Sequence, residues 1–176
     1  MIFSVLELKD QITTTVPNST LESMIRGIEF MVSTYTNNDF VNRYSVFSNV
    51  RSTNGKLELS SIHLKAGDSI IIRNSDGNDG LHDIREVDEV DGLLRLEVPL
   101  FDSTQTVLKV QYPMDVKMGA MNLMKWELEN RSKVGIKSES LSRHNVTYFD
   151  MDASNTVNGY PASLLGFLNP YKRARF

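Results

Sequence analysis

The sequence predicts an α+β fold in which a helical core is interrupted by a small β-barrel or twisted β-sheet module. Three observations carry this: helical periodicity over roughly the first forty residues, short strands separated by turn residues from about 43 to 112, and helical periodicity again after Pro113. The chain therefore divides into a helical core built from residues 1–42 and 113–176, an inserted β module at 43–112, and an extended C-terminal arm.

Ser4 followed by Glu7 fits a capping box, in which hydroxyl and carboxylate each take a backbone N–H left unpaired by the first turn; Val5, Leu8 and Ile12 then share one face. After Pro17 the same signal returns as Ser19 and Glu22, followed by Leu21, Met24, Ile25, Ile28, Met31, Val32 and Tyr35 at helical spacing. The stretch "TNNDF" closes this helix, because Asn and Asp compete for backbone hydrogen bonds. The next segments, "SVFSNV", "GKLELSSIHL", "SIIIRN", "GLHDIREV", "GLLRLEV" and "TVLKVQY", read as strands separated by Asn54-Gly55, Ala66-Gly67-Asp68, "NSDGNDG" and Asp91-Gly92.

Pro113 suits the first position of a long helix running to about residue 133. Met114, Met118, Met121, Met124 and Leu128 form one stripe on it, and Val116, Ala120, Leu123 and Trp126 lie on roughly the opposite side. A helix apolar on two sides needs two neighbours, either both within the subunit or one of them in a second copy. Gly135 fits a helix cap and "IKSESLSRHNVTYF" is extended in character. Tyr160-Pro161 opens a short apolar helix with Leu164, Leu165, Phe167 and Leu168, which Pro170 is expected to end. The last six residues then read as a free arm.

Composition narrows the chemistry. A net charge of -3 with interspersed signs gives no footprint of a general nucleic-acid binder, and the lack of cysteine excludes disulfides, thiolate zinc sites and cysteine nucleophiles. The opening residues meet Glu7, Lys9 and Asp10 at once, so neither a signal peptide nor a membrane span is expected. No nucleophile elbow, phosphate loop or zinc-protease motif is present, and His63, His82 and His144 fall in three separate segments. "SDGNDGLHDIRE" places Asp79, Gly80 and Glu86 at calcium-loop positions, but Ser75 and Gly77 stand where ligands belong and the flanks read as strands. Asp83, Glu86, Asp88, Glu89 and Asp91 could supply an acid and a base, yet charges at such spacing usually mark the solvent face of a strand pair. An OB-type barrel would offer Arg73 and Arg95 to nucleic acid but no aromatic platform. No catalytic residue, cofactor or metal ligand is expected.

The sequence ends in "NPYKRARF". Tyr171, Lys172, Arg173, Arg175 and Phe176 are of the residue types that anchor protein interfaces, with rings for pockets and cations for carboxylates.

The segments "VGIKSESLSRHNVTYF" and "GYPASLLGFLNPYKRARF", in that order, resemble the C-terminal part of head-tail connector proteins of long-tailed bacteriophages, the adaptor or head-completion proteins below the portal. The two N-terminal helices, the long helix before "SESLSR" and an insert bearing "NDGLHDIREVD" have counterparts in some members. The resemblance implies a structural protein of the virion neck, made in the host cytoplasm, that forms a twelvefold ring with a central channel for the genomic DNA. It implies that the arm Tyr171–Phe176 docks on the portal protein and that the stretch from Ser138 to Tyr148 joins subunits or reaches the portal. Candidate subunit contacts are Met118, Met121, Leu123, Trp126, Ser140, Arg143 and Tyr148; the insert would face outward or toward the downstream neck or tail-completion protein. A channel that passes DNA without holding it should be neutral to acidic. Two other readings stand beside this one: a tail-completion or stopper protein of the same neck region, and a calcium-dependent binding module or hydrolase using the acidic strand turns.

Overall fold

The computed structural model describes residues 1–131, 138–141, 144–147 and 156–174. The chain is mixed helix and strand and divides into two compact units, Met1–Ser4 with Asp39–Tyr112, and Val5–Asn38 with Pro113–Phe176. The first four residues, expected to belong with the helices, thus group with the strands.

The first unit is a closed antiparallel barrel. Its strands are β1 (Val41–Thr53), β2 (Gly55–Glu58), β3 (Ser69–Arg73), β4 (Gly80–Asp88), β5 (Leu93–Leu100) and β6 (Ser103–Val110), in the order β1-β2-β5-β4-β3-β6. Closure leaves no strand edge open to pairing with another chain. Alternation sends Val50, Leu57, Ile70, Ile72, Ile84, Leu94, Leu96 and Val107 inward as one core, with register pairs such as Ile72 with Val107 and Leu57 with Leu94 meeting side by side. Asn54 and Gly55 both hold positive φ, at 53° and 80°, the geometry that a two-residue turn between right-twisted strands demands. A β-bulge region between Phe47 and Val50 contains Asn49 at φ 59° and bends β1 as it curls around the core.

The expected strand "GKLELSSIHL" is shorter than its composition suggests. Pairing stops at Glu58, and Leu64 reaches the core from a turn closed by its own N–H on the Ser61 carbonyl at 3.2 Å. At one end of the barrel Ser69 Oγ donates to Asp83 at 2.9 Å, and the Met1 ammonium donates to both side chains. This accounts for the grouping of Met1–Ser4 with the barrel.

At the other end the buried Asn78 ties two connections together. Its amide donates to the Phe101 carbonyl at 2.8 Å and to Gln105 Oε1 at 3.0 Å, and its own oxygen accepts the Phe101 N–H at 2.8 Å. Ser52 Oγ donates to the same Phe101 carbonyl at 2.6 Å. Asn78→Ala would remove the bonds to both backbone groups of Phe101 and the buried bond to Gln105, a loss of about 1–3 kcal/mol. The expected outcome is a lower urea midpoint with an unchanged slope, and a variant as stable as the parent would show that this network adds nothing.

The second unit contains α1 (Val5–Gln11), α2 (Asn18–Thr36), α3 (Met114–Asn130), the two-stranded pairs β7 (Ser138–Leu141) with β8 (His144–Thr147) and β9 (Thr156–Val157) with β10 (Tyr160–Pro161), and a 3-10 helix from Ala162 to Tyr171. The Ser19–Glu22 capping box is not formed. Pro17 stands at the N-cap of α2 without a side-chain cap bond, so Ser19 is already helical, and the Ser19 carbonyl accepts from Ser23 Oγ at 3.0 Å. Pro113 likewise caps α3 from outside rather than opening it. The Gly135 cap lies outside the described residues.

Along α2, Leu21, Ile25, Ile28 and Val32 are buried, and α3 packs against α2 and against the 3-10 helix. The close approach to the 3-10 helix depends on Gly119, because a Cβ there would lie 2.4 Å from the Phe167 ring. Gly119→Ala forces that ring out of place and should cost about 1–3 kcal/mol of stability. Phe167→Leu in the same chain should recover much of the loss, a coupling that a double-mutant cycle of denaturation midpoints measures.

Candidate functional site

The sequence suggested that the last six residues form a free arm beyond a helix ended by Pro170. The structure corrects both points. Pro170 lies inside the 3-10 helix, which tolerates it and runs on to Tyr171, and Lys172 then turns extended. From there the chain is seated on the C-terminal end of α2. The Arg173 N–H donates to the Thr36 carbonyl at 2.8 Å, Asn37 Nδ2 donates to the Ala174 carbonyl at 2.9 Å, and Asn38 Nδ2 donates to the Tyr171 carbonyl at 3.2 Å.

Two side chains add to these backbone bonds. The Tyr171 hydroxyl lies 2.8 and 2.7 Å from the two oxygens of Asp115, whose carboxylate raises the phenol above its ordinary tyrosine value. Lys172 places its ammonium 4.0 Å from the centre of the Tyr35 ring and donates to that residue's hydroxyl at 2.8 Å. The physical reason for the seat is plain in the sequence of α2. Its last turn carries no basic side chain, so the Thr36 carbonyl and the negative end of the helix dipole are left for N–H groups and cations from elsewhere. The left-handed Asn37, at φ 50°, turns its side chain onto the arm. Arg175 and Phe176 lie outside the described residues.

The proposed subunit-contact residues separate. Leu123 is fully buried and packs within the unit; it is not available to a second copy. Trp126 is half-buried and engaged at home: its ring lies 5.4 Å from that of Tyr160, and the Arg131 guanidinium sits 5.2 Å from the first ring and 5.1 Å from the second. Arg131 also donates to both oxygens of Glu127 and, at 2.9 Å, to the Gly159 carbonyl. Met118 points outward at 61% exposure, as does Met114 at 71%, and Met121 is half-buried between them and the core. Met124, grouped by spacing with this stripe, belongs instead to the buried face with Val116 and Ala120. Ser140 pairs with Asn145 in the β7–β8 hairpin, and Arg143 and Tyr148 lie outside the described residues.

The exposed methionines of α3 floor a groove of about 370 Å³ shared with α1, in which Ile12 joins Met114, Met118 and Met121 while Glu7, Asp10 and Lys125 stand at its rim. Spacing alone located the methionines, but α1's contribution needed the packing of the helices.

On the barrel the acidic turns have local partners. Asp79 accepts from the Ser75 N–H at 2.8 Å and from its hydroxyl at 2.6 Å, which lowers its pKa, so the carboxylate closes the turn. Arg85 pairs with Glu97 at 3.0 Å and Arg73 with Asp39, and Arg95 faces Glu86. Among the described residues no group of three or more His, Asp or Glu side chains is gathered as a metal would require, and no helix is long and apolar enough to cross a membrane.

Burial, followed by the nearby Glu127 carboxylate, pushes the Tyr160 phenol up to about 12. The folded state therefore holds its proton more tightly than the unfolded chain, whose tyrosine ionises near 10. This contribution to stability is whole below pH 10 and is lost as pH rises toward 12, with a slope of up to about 1.4 kcal/mol per pH unit. Tyr160→Phe removes the slope: denaturation midpoints of parent and variant should converge between pH 9 and pH 11.5. Parallel curves over that range would rule the assignment out.

No protein-family model matches the chain, and no curated protein is similar to it in sequence.

Proposed function

We propose that the protein is a structural connector of a bacteriophage neck: a ring subunit below the portal that joins the DNA-filled head to the tail and extends the DNA channel. The observation that carries this reading is the exposed methionine face of α3. Val116, Ala120 and Leu123 already satisfy the helix's packing within its own unit, yet Met114 and Met118 present a second apolar face outward. Unbranched, polarizable methionines suit a face that must accept a neighbour's surface. In a ring such a face meets a different surface on the next copy, and the contact closes when the rotation does.

The C-terminal segments that resemble connector proteins support the same reading, with the basic aromatic arm as the portal-docking element and the chain acting through protein contacts rather than catalysis. A tail-completion or stopper protein would use the same ring logic at another layer of the neck. The local pairing of Asp79 with Ser75 favours the connector over the calcium-dependent module.

Deletion of Tyr171–Phe176 should abolish capture by purified portal rings while leaving the circular dichroism spectrum of the chain intact. Met118→Glu should prevent rings from forming on the portal, visible by negative-stain electron microscopy, without loss of the portal-bound monomer. Undiminished portal capture by the truncated chain would sink the docking role of the arm.

A further inference from the structure

The arm that the proposed function sends to a partner has the Tyr171 and Lys172 side chains and the backbone of Tyr171, Arg173 and Ala174 engaged at home. We infer that the end of α2 together with Asp115 is a recognition site for a Tyr-Lys segment and the backbone that follows it, that the chain's own arm fills it as a latch, and that docking requires the latch to open. This rests on the reading of the arm as a docking peptide.

The site reads a peptide in two ways. Thr36, Asn37 and Asn38 take the backbone of Tyr171, Arg173 and Ala174, which fixes an extended segment regardless of sequence. Asp115 and Tyr35 then select a phenol and, next to it, a cation. Those are the same chemistries that a partner surface must offer: a carboxylate for Tyr171 and an aromatic face or acid for Lys172. Partner binding thus exchanges like bonds for like, so the closed and partner-bound states lie close in free energy, while the open, unbound arm is a minor population.

Opening also uncovers little apolar surface. Lys172, Arg173 and Ala174 are exposed even when seated, and the bonds that hold them are polar and open to water. Segments of this kind are drawn from the low-stability end of local unfolding. A latch so balanced lowers the apparent affinity of the arm for any partner by the fraction of chains that are open. It also keeps a cationic, aromatic peptide from engaging other acidic surfaces before the partner is met.

Seat variants test this without altering the arm. In the full chain, Tyr35→Leu and Asp115→Ala should each raise the initial rate of trypsin cleavage after Lys172 and Arg173, followed by mass spectrometry, by about tenfold, the effect of losing one charge-assisted hydrogen bond. Thermal melts identify a variant that has lost its fold, and the other variant then carries the test. The same variants should bind purified portal rings more tightly by a similar factor. Full chain carrying Tyr171→Ala and Lys172→Ala should take up a labelled Asn169–Phe176 peptide, and adding Tyr35→Leu should weaken that uptake. Cleavage equally fast in parent and both seat variants overturns the latch, as does peptide uptake indifferent to Tyr35. Faster cleavage without portal binding by any form upholds the latch and removes the docking role of the arm.

Discussion

The architecture of the helical unit depends on the absence of one side chain. At Gly119 the backbone of α3 is bare, and the Phe167 ring occupies the space where a Cβ would stand. That contact draws the 3-10 helix against α3, with Leu165 and Leu168 buried in the same interface zone. Once this helix is placed, the chain on both sides of it is constrained. Ahead of it, Tyr160 meets Trp126 and Arg131; at its last residue, Tyr171 comes within reach of Asp115, and the residues that follow come within reach of the end of α2. A single glycine thereby positions both the aromatic clamp and the seat of the arm.

The barrel unit answers a different constraint. A sheet of this size has to deal with its edges, and closure does so by giving every strand two neighbours. The cost of closure is strong curvature, taken up by the bulge region in β1 and the register shifts in β2–β5 and β4–β5. Buried polar groups at the end of the barrel, Asn78 and Ser52 above all, replace the hydrogen bonds that the curving backbone cannot make with itself. The charged pairs on its outer face are exposed and contribute little to stability.

Much of this was legible in the amino-acid order. The α+β class, the turns at Asn54-Gly55 and Gly92, and the outward methionines follow from period and turn chemistry, since those signals are local. What escaped detection is non-local. Nothing around Leu64 reveals that its strand has ended at Glu58, because a buried leucine looks alike in a strand and in a turn. Ser19 and Glu22 have the right spacing for a capping box, but Pro17 had already set the helix start. Leu123 and Trp126 read as interface candidates because spacing gives a face without saying who covers it. The arm reads as a free end for the same reason: its partners Tyr35, Asn37 and Asn38 lie more than 130 residues earlier.

The seat also changes what the basic residues at the end of a net-acidic chain are for. Lys172 and Arg173 are too few and too local to hold a polyanion such as DNA, whose binding strength grows with each phosphate neutralised. Placed at the C-terminal end of α2, where the dipole is negative, the same residues complete a helix that carries no basic side chain in its own last turn: the Arg173 N–H takes the Thr36 carbonyl and the Lys172 ammonium stands on Tyr35. A side chain within α2 would have made that completion permanent. Supplied from the other end of the sequence, it is made by a segment that can leave, and the stability of the helix end becomes coupled to where the arm resides. That coupling is the physical content of a latch: any surface that competes for Tyr171 and Lys172 must first offset what the end of α2 loses.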